Sequence, residues 1–237
     1  MKHRSASAPP LDPDRLPDTF ALERHLTSQG YARVAGVDEA GRGPLAGPVV
    51  AACVVLPPDC DFAVFQDSKK LTARRRQTLF DVLAANGAVI GVGMAGPEEI
   101  EQLNILQASL LAMNRAMDAC VPHHGGPSPD FLLVDGKFQV PAPVEQWTLI
   151  KGESKSASIA AASIIAKVTR DRIMAEAHVR FPQYGFARHQ GYPTKSHREA
   201  IQRHGPCVLH RRTFRGVREH LAHDALLVAA FKADETP

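Results

Sequence analysis

The sequence predicts an α/β fold: a mixed β-sheet flanked by helices, with a helical C-terminal extension. Three observations point there. Short apolar runs alternate with stretches of helical spacing, the pattern of a sheet whose strands are joined through helices. One pair of runs is separated only by a glycine-rich turn, which puts an antiparallel hairpin into that sheet. The last third of the chain carries helical spacing and loops.

The elements follow in chain order. Residues 1–16 hold prolines and no periodic apolar pattern, and are expected to be a flexible tail. Asp18 is expected to cap a short helix through Phe20, Leu22 and Leu26 that stops at Gly30. The run Val34 to Val37 and the run Val49 to Leu56 are expected strands around Gly41-Arg42-Gly43-Pro44. Thr72 should cap a helix through Leu79, Val82 and Leu83, ending at Asn86-Gly87. A strand is expected from Ala88 to Met94. After Gly96-Pro97-Glu98-Glu99, Ile100, Leu103, Leu106, Leu110, Met113 and Met117 recur at helical spacing, predicting one amphipathic helix. Phe131 to Val134 and Trp147 to Ile150 read as two further strands. A long helix is expected from about Ser156 to Val179, and a last one from Leu221 to Phe231. The expected organisation is a tail (1–16), a core (17–180) and a basic helical extension packed on it (181–237).

Composition narrows the class. The chain has 237 residues, 44% of them hydrophobic, enough for a sizeable core. No apolar run approaches the ~20 residues that span a bilayer. The start, Met1 to Leu11, lacks an apolar signal region, so the cytoplasm is the expected compartment. Four cysteines without a C-x-x-C pair read as neutral thiols in a reducing compartment. The net charge of +3 is unevenly spread: Arg188 to Arg218 holds eight Lys/Arg against Glu199 alone, leaving 20 basic and 24 acidic residues elsewhere. A basic face of this kind suits a phosphate backbone, or is simply a solvated stretch.

Three apolar strands each run into acids: Val37 into Asp38-Glu39, Val134 into Asp135, and Ile150 into Lys151-Gly152-Glu153. Active sites of α/β sheets lie beyond strand ends. Carboxylates gathered there repel one another unless cations neutralise them. Oxygen-only donors favour Mg²⁺ or Mn²⁺, and the absence of an accompanying His or Cys argues against zinc. Such a site suits two-metal phosphoryl transfer. The alternative is that these acids are ordinary strand-end turn residues. Gly41-Arg42-Gly43 is either a ligand-facing backbone or a bare turn. Asp67-Ser68-Lys69-Lys70 is either a phosphate contact or a solvated loop. His220 and His223 stand three apart but lack a third ligand, and read as solvated. His189, His210 and the arginines beside them either touch a substrate backbone or pack the C-terminal region.

Taken together, these residues resemble ribonuclease HII, of the type 2 ribonuclease H family. The matching segments are Gly36 to Val49 (GVDEAGRGPLAGPV), Asp67 to Leu71 (DSKKL), Val134-Asp135-Gly136 and Lys151-Gly152-Glu153. Further along come Ile159 to Asp171 (IAAASIIAKVTRD), Tyr184-Gly185-Phe186, His189 to Thr194 (HQGYPT) and His210 to Phe214 (HRRTF). They run in order over residues 33–216.

The resemblance implies a ribonuclease H-like fold, Mg²⁺ or Mn²⁺ as cofactor, and metal-binding, catalytic acids at Asp38, Glu39 and Asp135. A fourth family acid, usually aspartate, falls at Glu153, whose extra methylene requires backbone or rotamer adjustment. It implies that Gly41, Arg42 and Gly43 read the ribose 2′-hydroxyl, that Ser68 and Lys69 touch substrate, and that Tyr192, or else Tyr184, packs on the following deoxyribose. The implied partners are RNA–DNA hybrids and duplex DNA carrying ribonucleotides, cut 5′ of the ribonucleotide to leave 3′-hydroxyl and 5′-phosphate ends. A monomer without membrane attachment is expected. The related ribonuclease HIII has an additional N-terminal domain, for which the roughly 30 residues before the first motif are too few. The alternative within this resemblance is a catalytically impaired hybrid-binding protein.

Overall fold

A computed structural model of the chain describes residues 11–65, 68, 71–121, 125 and 127–221. The first elements are α1 (Ala21–Ser28), β1 (Val34–Ala40), β2 (Val49–Val55), α2 (Ala73–Ala85) and β3 (Val89–Ala95). They are followed by α3 (Pro97–Leu103), α4 (Ile105–Ala119), β4 (Phe131–Asp135), β5 (Glu145–Leu149), α5 (Ala157–Arg180), α6 (Phe186–His189) and α7 (Lys195–His204). The five strands form one sheet in the order β3-β2-β1-β4-β5. β1 pairs antiparallel with β2 and parallel with β4, and β4 pairs parallel with β5. This is the expected mixed sheet with its hairpin at β1–β2.

Local chemistry explains most boundaries. Thr72 caps α2, its Oγ1 accepting from the Arg75 N–H at 3.2 Å. Asp18 stands two residues ahead of the cap position, Phe20, and accepts that residue's N–H at 2.8 Å without capping the helix. The single helix expected through Met117 is two, α3 and α4. Asn104 separates them with a positive φ of 69° and an extended ψ of 165°, and its Oδ1 accepts from Leu106 and Gln107 N–H at 3.0 and 3.2 Å. Its side chain caps the next turn, so it restarts a helix whose apolar spacing reads as unbroken. The helix expected beyond Leu221, His223, Lys69 and most of the tail lie outside the described residues.

The chain forms two compact units. The first comprises the chain up to Ala40, Val50–Met94 and Ser109–Thr169. Its core holds one cluster around Ala52, Val54, Leu79, Leu83, Ile164 and Ile165, and another around Leu22, Leu26, Phe131, Leu133 and Ile159. Backbones touch in this unit. A Cβ on Gly36 of β1 would lie 2.0 Å from the Ser158 carbonyl carbon of α5, and one on Gly93 of β3 would lie 2.2 Å from the Ala112 oxygen of α4. Only glycine allows these approaches. The second unit comprises Gly41–Val49, Ala95–Ala108 and the chain from Arg170. It packs Leu45, Ala46, Met174, Tyr184, Phe186, Ile201 and Val217 together. Among the described residues no helix is long and apolar enough to cross a membrane.

Candidate active site

In the first unit the sheet delivers the acids. β1 and β4 run parallel with Val37 opposite Val134, so Asp38 and Asp135, the next residue of each strand, come side by side where β4 ends, while β1 runs on through Ala40 paired with β2. Past β5, Lys151 adopts a left-handed backbone (φ 58°) and turns the chain into the short 3₁₀ segment Gly152–Ser154 that carries Glu153. The Gly152 N–H donates to Asp135 Oδ1 at 2.7 Å. A side chain at 152 would meet Ile159 Cδ1 at 2.7 Å and Asp135 Oδ1 at 3.1 Å, so glycine lets this turn close on the acid. Glu153 is buried, and its Oε2 accepts from Ser163 Oγ of α5 at 3.0 Å. Ser163 Oγ in turn shares a 2.7 Å hydrogen bond with Ser68 Oγ, also buried.

The electrostatics tie the four acids together. Asp38 is buried, and its carboxyl is held well above the usual carboxylate range. Burial is the largest cause, followed by the negative charges of Glu39, Asp135 and Glu153. The Glu39 N–H, 2.7 Å from Asp38 Oδ1, pulls weakly the other way. Each of the other three acids is close enough to act on Asp38. Among the described residues, however, no three carboxylate, imidazole or thiol groups already close on one point as a chelate. Repulsion has a physical outlet here: Asp135 and Glu153 each turn an oxygen to a donor of their own chain.

In the second unit the glycine-rich turn rests on two buried arginines. Arg211 donates from Nη2 to the Gly41 carbonyl at 2.5 Å, from Nη1 to Arg42 at 2.8 Å and from Nε to Gly47 at 3.0 Å. Arg170 donates to the carbonyls of Pro48, Ala46 and Gln190 at 2.9, 3.0 and 3.0 Å. Both are 1% exposed or less. Burial, then the neighbouring Arg170, lowers Arg211 to about 9, while Tyr192 counteracts. The direction of the turn's amides follows from these bonds. Among the described residues no peptide is cis, and in a trans peptide C=O and N–H point oppositely. With the Gly41 and Arg42 carbonyls turned to Arg211, the N–H groups of Arg42 and Gly43 face away from it. Gly41 is enforced by packing: its φ is 100°, and an added Cβ would lie 2.1 Å from Arg170 Nε. Gly43 is not. A Cβ there would meet only Tyr192 Cε1, at 3.9 Å. The Tyr192 ring is 41% exposed and lies 6.0 Å from the Arg170 guanidinium carbon, whereas Tyr184 is buried with its hydroxyl donating to the Gly205 carbonyl at 2.7 Å.

Comparison with known proteins gives the family and the fold. The family description Ribonuclease HII matches residues 35–217. Ribonuclease HII of Desulfotalea psychrophila is 57% identical over 204 residues, 86% of this chain and 90% of that one. The chain belongs to the ribonuclease HII family. It is therefore an enzyme, an endonuclease of ribonuclease H type. The crystal structure of ribonuclease H2 from Pyrococcus horikoshii OT3 superposes with a TM-score of 0.66 at 27% identity, covering 81% of this chain and 98% of that one. Bst-RNase HIII in complex with Mn²⁺ gives a TM-score of 0.67 at 20% identity, covering 92% and 77%, a likeness of fold.

For a ribonuclease HII, the donor set fits the divalent metal on which the family depends. Four carboxylates, with no imidazole or thiolate among them, offer hard oxygen to a hard ion. Several functional details were not legible in the sequence. Ser163 sits in an alanine-rich motif and gives no sign that it holds Glu153. Arg211 is counted with the basic face, yet it is fully buried and serves the backbone; the other seven cations of that stretch are exposed. His189 and His210, open to either reading, are packed inside. Ser68, expected against substrate, bonds inward to Ser163.

Proposed function

We propose that this ribonuclease HII hydrolyses the RNA strand of RNA–DNA hybrids and cuts 5′ of single ribonucleotides embedded in duplex DNA, leaving 3′-hydroxyl and 5′-phosphate ends. The observation that carries the reading is the gathering of the acids at one end of the β1–β4 pair: the parallel register makes Asp38 and Asp135 neighbours, the Gly152 bond to Asp135 brings Glu153 up beside them, and burial, then the charges of Glu39, Asp135 and Glu153, raises the Asp38 carboxyl. Such a cluster relaxes when divalent cations bind, and Asp38, Glu39, Asp135 and Glu153 would hold Mg²⁺ or Mn²⁺ between them. Ions held by these acids would supply activation of a water for in-line attack on phosphorus and neutralisation of charge on the leaving 3′ oxygen.

The chain's own part is positional. The Gly152 amide orients Asp135, and Ser163 anchors Glu153, fixing a side chain one methylene longer than the family's usual aspartate. On the substrate side, the outward N–H groups of Arg42 and Gly43 offer donors to a ribose 2′-hydroxyl, and the open space over Gly43 lets a sugar approach the backbone. Gly41 keeps that turn tight. Tyr192, exposed where Tyr184 is not, packs on the deoxyribose that follows. Lys69 offers a positive charge to phosphate, and the exposed arginines and Lys195 draw in the duplex. We take the enzyme to act as a monomer in the cytoplasm, a reducing compartment that suits its four free thiols.

Asp38→Asn tests the reading on a duplex with one ribonucleotide and blocked ends. Cleavage should be lost while duplex binding in EDTA is kept. Full cleavage by the variant would overturn the metal assignment, and failure of the native chain to cut blocked ends would overturn the endonuclease.

A further inference from the structure

Three histidines are buried side by side in the second unit: His189 (8% exposed), His197 (0%) and His210 (2%). The rings of His189 and His197 stack with centroids 4.5 Å apart. His197 and His210 meet Nε2 to Nε2 at 3.1 Å. Their partners fix where the protons sit. His197 Nδ1 lies 2.9 Å from the Tyr192 carbonyl, which can only accept, so Nδ1 carries the proton. A neutral His197 then accepts at Nε2, and His210 donates from its Nε2. His210 Nδ1 is left as the acceptor, and the Cys207 N–H donates to it at 2.9 Å; the Cys207 carbonyl, 3.3 Å from the same nitrogen, takes the His210 backbone N–H at 2.9 Å instead. The opposite assignment would set a bare Nδ1 of His197 against the Tyr192 oxygen. The result is a directed chain from the Cys207 amide through His210 and His197 to the Tyr192 carbonyl, in which both rings are neutral.

The chain ends on a turn that needs holding. Gln190 and Gly191 are both left-handed (φ 47° and 80°), a costly backbone for glutamine. His189 secures its start, donating from Nε2 to the Tyr184 carbonyl at 2.8 Å and accepting the Gly191 N–H at 3.3 Å. The His197 bond to the Tyr192 carbonyl secures its end, directly at the residue whose ring is exposed.

We propose that His197 and His210 are positioning residues: their proton-ordered relay fixes the main chain of Tyr192 and so aims its exposed ring at the sugar of the bound duplex. This rests on the reading of Tyr192 as a substrate contact. The titratable and charged groups packed around the two rings are His189, Tyr184, Cys207 and Arg198. Burial first, then charge from neighbouring side chains, keeps both rings neutral down to about 4. The relay is thus complete at neutral pH and is lost on the acid side.

The test measures KM and kcat on a duplex carrying one ribonucleotide. His197→Ala removes the donor to Tyr192; His197→Asn puts an amide N–H near the ring Nδ1. His197→Ala should raise KM about tenfold with kcat within about twofold, the signature of lost binding, and His197→Asn should recover most of the loss. In a double-mutant cycle, adding His197→Ala to Tyr192→Ala should cost nothing further. An unchanged KM in His197→Ala, no recovery in His197→Asn, or additive losses in the cycle would overturn the relay. If Tyr192→Ala raises KM and His197→Ala does not, only the relay falls. If Tyr192→Ala leaves KM unchanged, the reading of Tyr192 falls and takes the relay with it. Should His197→Ala not fold, His210→Leu against His210→Gln, which retains a donor near Nε2, makes the same comparison at the other link.

Discussion

Acidification should unfold this protein through His197 and His210. Both rings are held at about 4 when folded, against 6.5 when free. The sign follows from that order. Above pH 6.5 both states are neutral and the rings contribute nothing to the pH dependence. As pH falls below 6.5 the unfolded chain takes up protons that the folded chain refuses, so stability drops until about pH 4. At pH 5 the linkage amounts to about 2 kcal/mol per ring, so about 4 kcal/mol for the pair. For a chain of this size that corresponds to a fall in Tm of roughly 8–16 °C. The assay is thermal unfolding in EDTA at pH 7 and pH 5, comparing the native chain with the His197→Asn/His210→Gln double variant. Buried Glu23, raised by burial against the opposing pull of its hydrogen bonds from Ser156 and Ser158, and Asp38, raised by burial and then its acidic neighbours, titrate with the opposite sign, and both are common to the two proteins. The double variant should lose less stability than the native chain by about 4 kcal/mol. Equal losses would refute the reasoning.

Three further outcomes are expected. Arg211→Met strands the carbonyls of Gly41, Arg42 and Gly47; at about 1–3 kcal/mol for each unsatisfied group, urea unfolding should show a loss of at least about 3 kcal/mol. Gly41→Ala and Gly43→Ala should separate stability from recognition. The first combines a left-handed φ with a 2.1 Å approach to Arg170 and should lower Tm, while the second has open space and should leave Tm unchanged but reduce the preference for ribonucleotide over all-DNA duplex. Ser163→Ala removes the hydroxyl donor to Glu153 Oε2, and calorimetric Mn²⁺ titration should show affinity weakened about 10–100-fold.

The strands were legible because an apolar run that meets a carboxylate is a local signal, although β1 continues through Asp38 and Glu39 to Ala40 where the sequence suggests an end at Val37. The parallel register that sets Asp38 beside Asp135 requires only that β1 and β4 be neighbours. The division of α3 from α4 was hidden because Asn104 breaks the backbone without interrupting the apolar spacing. Illegible, too, was everything set by long-range hydrogen bonds. Arg211 reaches Gly41 across 170 positions, and Ser68 reaches Ser163 across 95. In the sequence such residues look like surface charge or small-residue filler. The histidine relay was hidden for the same reason: its protons are ordered by carbonyls and amides whose placement only folding decides.

The glycine contact between β1 and α5 bears on how the enzyme fails. With no side chain between Gly36 and Ser158, strand and helix cannot slide or part by small steps. The Asp38 strand and the helix bearing Ser163 should therefore open only in global unfolding, and their amides should be among the slowest to exchange with solvent deuterium. Heat or mild denaturant would loosen peripheral segments first, leaving the acidic centre assembled until the whole unit gives way.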